Sequence, residues 1–174
     1  MFFTKIETKR LVLRNISADD RKFIFKEFSN NYVNRFLFDA EQLTEICGAD
    51  EILSFYTKPE PRNEHRWVLH RKPDGQKIGT CGFHLWNASE GSVEIGYDLL
   101  EKFTGQGYMA EALKAIITFA KTKMDVRRIN AIIYTENAKS VNAAIRNGFV
   151  LTDKIVNSEF RGEKYLHHIY SLEF

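Results

Sequence analysis

Hydrophobic and polar residues alternate in several short segments of the chain, a pattern typical of β-strands with one buried face. The predicted strands cover residues 10–14, 66–71, 77–86, 93–99, 128–134, 150–157 and 164–172. Turn-forming residues at 72–75 separate the second strand from the third, and Arg161-Gly162 separates the last two. Both pairs are therefore predicted to form hairpins.

Hydrophobic positions three and four residues apart predict helices elsewhere. The clearest helix follows Gly107, with hydrophobic residues at Met109, Leu113, Ile116, Ala120 and Met124. A second helix is predicted over 137–147, because Asn137 is a favourable N-cap and Gly148 is a favourable residue just after a helix end.

The N-terminal third predicts further helices. Ser17 and Asp20 form a capping-box pattern at the start of one helix. Residues 30–58 fit one or two more, broken around Gly48. The element order is therefore β, helices, β-β-β, α, β, α, β-β, which predicts a single mixed α/β domain over residues 1–174.

The composition excludes several classes of protein. A formal charge of +2 is too small a basic surplus for a dedicated nucleic-acid binder. No stretch approaches the roughly 20 apolar residues of a membrane span, and the N-terminus lacks the apolar core of a signal peptide. A cytoplasmic protein without nucleic-acid or membrane partners is expected. Cys47 and Cys81 lack a C-x-x-C pattern, so both are predicted to be reduced core residues, and no metal site is predicted.

Two glycines, Gly105 and Gly107, precede the clearest helix, where unpaired N–H groups and the helix dipole favour a phosphate. With Ala110 and Asp125 they also match a dinucleotide-binding fingerprint. The context disfavours that alternative. Residues 100–104 separate the glycines from the preceding strand, Asp125 comes before the next strand begins, and too little chain remains for further parallel strands.

Three segments, RLVLR, VEIGYDLLEKFTGQGYMAEAL and YTENAKSVNAAIRNGF, resemble the GNAT acetyltransferases. The most similar branch is the ribosomal-protein N-terminal acetyltransferases. The resemblance implies a mixed, mostly antiparallel sheet of about six to seven strands, flanked by helices and splayed at its middle strands. It also implies acetyl transfer from acetyl-CoA to a primary amine, a protein N-terminus or a small molecule, by direct attack in a ternary complex.

The resemblance also implies a binding site for acetyl-CoA. Backbone N–H groups of the loop before the long helix would hold the pyrophosphate, at Thr104, Gly105, Gln106, Gly107, Tyr108 and Met109. The family commonly has Arg or Gln where this chain has Thr104, and Gly or Ala where it has Met109, but neither change removes a backbone donor. The acetyl carbonyl would lie against the backbone of Tyr97, Leu99 and Leu100.

Many members of the family protonate the departing thiolate with a tyrosine at the position that is Ala144 here. The resembling branch has a serine instead, which is Ser140, and Asn137 is expected to hydrogen-bond the pantetheine arm. Both residues also belong to a helix start, which explains them without catalysis. Among carboxylates, Glu94 is the first candidate for the base because its strand leads to the acetyl group, and His84 is the second. A cross-strand ion pair or a solvated face would equally explain Glu94.

The acceptor pocket is expected between residues 30 and 66 and the terminal strands. Its candidate lining residues are Trp86, Tyr56, Phe160, Tyr165, His167 and His168, all of which could equally be packing residues. A homodimer is expected as the commonest soluble oligomer. Two other functions stay open, a non-catalytic acyl-CoA-binding module and a dinucleotide-binding protein.

Overall fold

The computed structural model describes residues 2–174 and contains an eight-stranded sheet of order β1-β2-β3-β4-β5-β6-β8-β7. The strands are β1 (Ile6–Glu7), β2 (Leu11–Asn15), β3 (His65–Arg71), β4 (Lys77–Asn87), β5 (Ser92–Leu99), β6 (Arg128–Tyr134), β7 (Val150–Phe160) and β8 (Glu163–Glu173). All seven predicted strands are present, and only the two-residue β1 was not predicted. Neighbouring strands are antiparallel except for β5 and β6.

Five helices accompany the sheet: α1 (Arg21–Phe28), α2 (Asn31–Asn34), α3 (Gly48–Tyr56), α4 (Tyr108–Lys123) and α5 (Ala138–Arg146). Both predicted helix starts are present, the one at Ser17 as a single 3-10 turn (Ala18–Asp20) that leads directly into α1. The Ser17 N–H donates to the Asp20 carboxylate, and the Asn137 side chain accepts from the backbone N–H of Ser140. Residues 30–58 contain two helices, and Gly48 begins the second rather than interrupting one.

Helices cover both faces of the sheet, as the alternation along β3 shows. Trp67 is fully buried against Phe119 of α4, with 5.4 Å between ring centroids. The preceding Arg66 lies on the opposite face, over the rings of Phe28 in α1 and Tyr56 in α3. The α4 side holds the aromatic core, whereas the α1–α3 side holds buried charged residues.

The splay predicted for the middle strands is present between β5 and β6. Their pairing joins Ser92, Val93 and Glu94 of β5 to residues 128–130 of β6 and goes no further. Beyond Glu94 the two strands diverge and leave a gap between them, which we call the splay.

Cys81 is buried as predicted, but the prediction of a buried Cys47 is wrong. Cys47 lies just before α3, at the exposed end of that helix, and its apolar neighbour Ile46 is exposed as well. Within residues 2–174, no helix is long and apolar enough to cross a membrane. The same residues contain no His, Cys, Asp and Glu group arranged to hold a metal ion.

Candidate functional site

A cavity of about 1070 Å³ opens at the splay, on the α1–α3 side of the sheet; we call it the acceptor cavity. Several predicted site residues from separate parts of the chain line it: Tyr56, His84, Glu94, Tyr97, Asn137, Ser140 and His167. The fold therefore gathers both candidate bases, the candidate acid and part of the predicted acceptor lining around one space.

The loop of residues 104–109, here called the glycine loop, leads into α4. Gly105 and Gly107 have φ values of +75° and +78°, in the left-handed region that favours glycine. Gly107 is the N-cap, and its carbonyl accepts the first helical bond, from Glu111. The N–H groups of the first turn, at Tyr108, Met109 and Ala110, have no carbonyl partner within the helix.

The space beside Gly105 is open. A Cβ at Gly105 would meet no atom within 4 Å, so the backbone there can be approached closely. The side chains of Thr104 and Gln106 turn back and donate to the carbonyls of Glu101 and Lys102. The side chains at these two positions therefore stabilise the loop itself.

Arg10 supports the glycine loop, and the sequence analysis missed this residue. Its guanidinium donates to the Gln106 carbonyl at 2.9 Å and to Glu111 at 2.6 Å, and it lies 4.5 Å from the ring centroid of Tyr108. The Arg10 backbone N–H also donates to Glu111. No local pattern at position 10 signals these contacts, because Gln106 and Glu111 lie about 100 residues away along the chain.

The backbone of β5 presents donors to the splay. The Leu100 N–H donates to the Ile78 carbonyl at 3.0 Å, on the β4 side. Because antiparallel strands direct alternate N–H groups to opposite sides, those of Tyr97 and Leu99 point toward β6, where pairing has ended. Two of the three residues predicted to hold the acetyl carbonyl therefore face the splay, whereas the N–H of Leu100 is already used within the sheet.

Tyr97 connects the two sides of the splay. Its hydroxyl donates to the backbone carbonyl of Ser140 at 3.0 Å, and burial raises its pKa to about 12. This bond, together with the cap between Asn137 and the Ser140 N–H, sets the first turn of α5 beside β5. Ala144, where many family members carry a phenol, is packed in the core with 1% of its surface exposed.

Glu94 and His84 face each other across β5 and β4 as directly opposed residues. A Cβ at Gly96 would lie 2.9 Å from the His84 ring, so the missing side chain at 96 makes room for the imidazole. Burial, followed by the charge of Arg66, lowers the pKa of His84 to about 4, which keeps the ring neutral at pH 7. Burial also raises the pKa of Glu94. The hydroxyl of Tyr56 lies 3.3 Å from Nε2 of His84.

A buried charged cluster forms the base of the acceptor cavity. Arg66 donates to Asp98 at 3.2 Å, and Asp98 also accepts from the backbone and hydroxyl of Thr80. Glu27 is completely buried beside them, and burial, followed by the charge of Asp98, raises its pKa well above the ordinary value. Burial thus favours the protonated form of Glu27, and Asp98 is the carboxylate that pairs with Arg66.

The other predicted lining residues lie outside the cavity wall. Tyr165 stacks behind Phe38 at 3.7 Å between centroids, and Phe160 lies 6.4 Å from the same ring. Trp86 stacks on Phe2 instead, on the aromatic core. His168 pairs with Ile133, and strand alternation turns it away from the face of His167.

A family model described as acetyltransferase (GNAT) domain matches residues 10–150. The uncharacterised N-acetyltransferase YoaA of Bacillus subtilis is 29% identical over 148 residues, 84% of this chain and 83% of that protein. The ribosomal-protein-serine acetyltransferase of Escherichia coli is 32% identical over 92 residues, 53% of this chain and 51% of that protein.

Solved structures share the whole fold. A RimL ribosomal alpha-N-protein acetyltransferase bound to coenzyme A superposes with a TM-score of 0.88 at 20% identity, over 98% of each chain. Spermidine N-acetyltransferase from Vibrio cholerae, bound to coenzyme A and spermine, gives a TM-score of 0.83 at 19% identity, over 95% of this chain and 96% of that chain. The family match over most of the chain, on a fold with a splayed sheet and a glycine loop, shows that the protein belongs to the GNAT family of acetyl-CoA-dependent N-acetyltransferases.

Proposed function

We propose that this protein transfers an acetyl group from acetyl-CoA directly to a primary amine that enters the acceptor cavity, with both substrates bound together. The observation that supports this most is the splay itself. Pairing between β5 and β6 ends at Glu94, and Glu94, Tyr97 and Ser140 all line the cavity that opens there. Direct transfer requires such a shared space, since proximity supplies much of the rate.

Acetyl-CoA supplies an activated thioester, and the chain has backbone groups suited to hold it. The glycine loop and the first turn of α4 would bind the pyrophosphate, because the N–H groups of that turn have no carbonyl partner within the helix and lie at the positive end of its dipole. The N–H groups of Tyr97 and Leu99 would hold the acetyl carbonyl and stabilise the oxyanion that develops there. Asn137, at the start of α5, would hydrogen-bond the pantetheine arm.

Glu94 and Ser140 would move the protons. Glu94 lines the cavity, and its raised pKa brings it closer to the pKa of an amine, which makes it a better base than an exposed carboxylate. Ser140 would donate to the sulfur that departs, since this residue lines the cavity from the first turn of α5. His84 is neutral and opposite Glu94, and serves as a second acceptor for the amine hydrogens.

A covalent acetyl-enzyme is not needed. Cys81 is buried in the core, where burial raises the pKa of its thiol and leaves no path to a substrate. Cys47 lines the cavity, but its thiol donates to the Glu45 carboxylate and has no neighbouring histidine among its hydrogen-bond partners in residues 2–174. The amine itself is therefore the proposed nucleophile.

The dinucleotide alternative conflicts with the sheet. Within residues 2–174, β5 and β6 are the only parallel neighbours, whereas a doubly wound dinucleotide fold has several parallel strands. A non-catalytic acyl-CoA-binding module would have the same fold as an active acetyltransferase, so only a measurement of turnover distinguishes these two functions. The homodimer and the cytoplasmic location stay predictions.

Calorimetric titration with acetyl-CoA and with NAD, followed by a thiol-release assay with an amine panel, tests the proposal. We expect heat of binding with acetyl-CoA alone, and thiol release that depends on the amine. Binding of acetyl-CoA without release of free coenzyme A thiol in the presence of any amine would support the non-catalytic acyl-CoA-binding module instead. Binding of NAD instead would reject the cofactor assignment.

A further inference from the structure

The charge of the acceptor cavity differs from that of the whole chain. The chain carries a formal charge of +2, yet seven carboxylates line the cavity: Asp39, Glu41, Glu45, Glu51, Glu64, Glu94 and Asp98. Among residues 2–174, the only lysine or arginine side chain in the lining is Arg66. The excess of carboxylates is thus a local property of the site rather than a reflection of composition.

Two of these carboxylates have a cationic partner within the protein. Asp98 pairs with Arg66, and Glu41 pairs with Arg161. Within residues 2–174, no lysine, arginine or histidine forms an ion pair with the other five, which are Asp39, Glu45, Glu51, Glu64 and Glu94. Five carboxylates around the acceptor cavity are therefore outside the ion pairs formed within residues 2–174.

The buried cluster beneath the cavity keeps the single cation from opposing this field. The side chain of Arg66 is 9% exposed and its charge is matched by Asp98. Behind it, Glu27 is fully buried, and its carboxyl lies beside that of Asp98. The charge of Arg66 is therefore matched at the base of the cavity and does not cancel the charges of the other carboxylates.

The five carboxylates are spread from the mouth of the cavity to the reaction centre. Asp39, Glu45 and Glu51 are exposed, Glu64 is half-buried, and Glu94 lies at the splay. A row of like charges in a cleft with low-dielectric walls focuses the field and concentrates cations there. One ammonium at Glu94 leaves the remaining charges unmatched, and a cavity of about 1070 Å³ has room for a longer molecule.

We infer that the acceptor is a small polycation, a di- or polyamine, with one amine at Glu94 for acetylation and a further ammonium held by Glu64 and the carboxylates at the mouth. This inference rests on the proposed function and names its substrate class. A protein N-terminus without lysine or arginine in its first residues carries only the reacting amine, so it would leave the outer charges unused.

Three amines of equal chain length test the inference: diaminobutane, butylamine and aminobutanoate, whose far ends are positive, neutral and negative. We expect kcat/KM to fall in that order, by about tenfold at each step, and the preference for the diamine to shrink as salt is raised. Calorimetric binding of the diamine to the protein saturated with coenzyme A gives a readout that does not need turnover.

The variant Glu64→Gln should lower kcat/KM for diaminobutane about fivefold, mainly by raising KM. The same variant should change kcat/KM for butylamine less than twofold. Asp153→Asn, on the exposed part of β7, is the matched control and should change neither.

Equal rates for the three amines, or a faster reaction with a serine-terminated peptide, would overturn the inference and leave the proposed function standing. Absence of thiol release from every amine would overturn both.

Discussion

The two halves of the site are built from different parts of the polypeptide. The cofactor half, which comprises the glycine loop and the unpaired end of β5, presents backbone N–H groups, and Thr104 and Gln106 use their side chains on the loop itself. The acceptor half presents side chains from α3, β3, β4, β5, β6 and the first turn of α5. A surface made of backbone groups depends on residue type mainly where φ is positive. Side-chain substitutions can therefore change the chemistry of the acceptor half while the backbone donors of the cofactor half stay in place.

This difference also separates binding from chemistry. Backbone donors are already oriented by the helix and the sheet, which favours tight, general recognition of phosphate and carbonyl oxygens. Carboxylates and hydroxyls in the cavity respond to burial and to their neighbours, as the shifted pKa values of Glu94 and His84 show. In the proposed function, the first half therefore binds the acetyl donor, and the second half selects the acceptor and moves its protons.

Disruption of the glycine loop should produce the largest of the three predicted effects, a loss of acetyl-CoA affinity, and should leave the structure of the acceptor half unchanged. A valine at position 107 would have to adopt φ near +78°, and its Cβ would lie 3.4 Å from the Arg10 guanidinium. Because a β-branched residue is strained there, Gly107→Val should weaken acetyl-CoA binding about hundredfold in calorimetry.

The control is Gly162→Val, at φ +77° in the turn between β7 and β8, where a Cβ meets no atom within 4 Å. It introduces similar backbone strain outside the site and should change acetyl-CoA affinity less than twofold. Equal losses in both variants would mean that the glycine loop has no special role in binding.

Removal of the Ser140 hydroxyl should have the next largest effect, and only on turnover. Ser140→Ala should lower kcat about tenfold while acetyl-CoA affinity changes less than twofold, because the backbone donors remain. Ser54→Ala is the matched control, since Ser54 is an exposed helical serine in α3. Full activity of Ser140→Ala in the thiol-release assay would remove this residue from the mechanism.

Loss of the Arg10 side chain should have the smallest effect, because it removes a support of the cofactor half and leaves the backbone donors in place. Arg10→Gln breaks a partly exposed ion pair with Glu111 and the bond to the Gln106 carbonyl. We expect KM for acetyl-CoA to rise about threefold with kcat nearly constant. Arg128→Gln, an exposed residue of β6, should change neither value. A fall in kcat with KM unchanged would place Arg10 in the chemistry instead.

Local patterns in the sequence determined most of the fold. Alternation predicted every strand of five residues or more, and cap residues at Ser17 and Asn137 marked two helix starts correctly. These features could be predicted because a strand's buried face and a helix cap are set by residues within a few positions of each other. The two-residue β1 and the exposure of Cys47 were missed, because both depend on what the rest of the chain covers.

The glycine loop could be predicted from the sequence for the same local reason, since positive φ values and unpaired N–H groups at a helix start belong to one short motif. The acceptor cavity could not be predicted in this way. Its carboxylates stand between positions 39 and 98 along the chain, and nothing in their spacing shows that they share a space or that Asp98 matches Arg66. The same holds for Arg10 beneath the glycine loop. The sequence alone determined the strands, the helices and the donor-binding motif, whereas the tertiary structure decided which distant side chains meet, because contacts between such residues follow from how the sheet and helices pack.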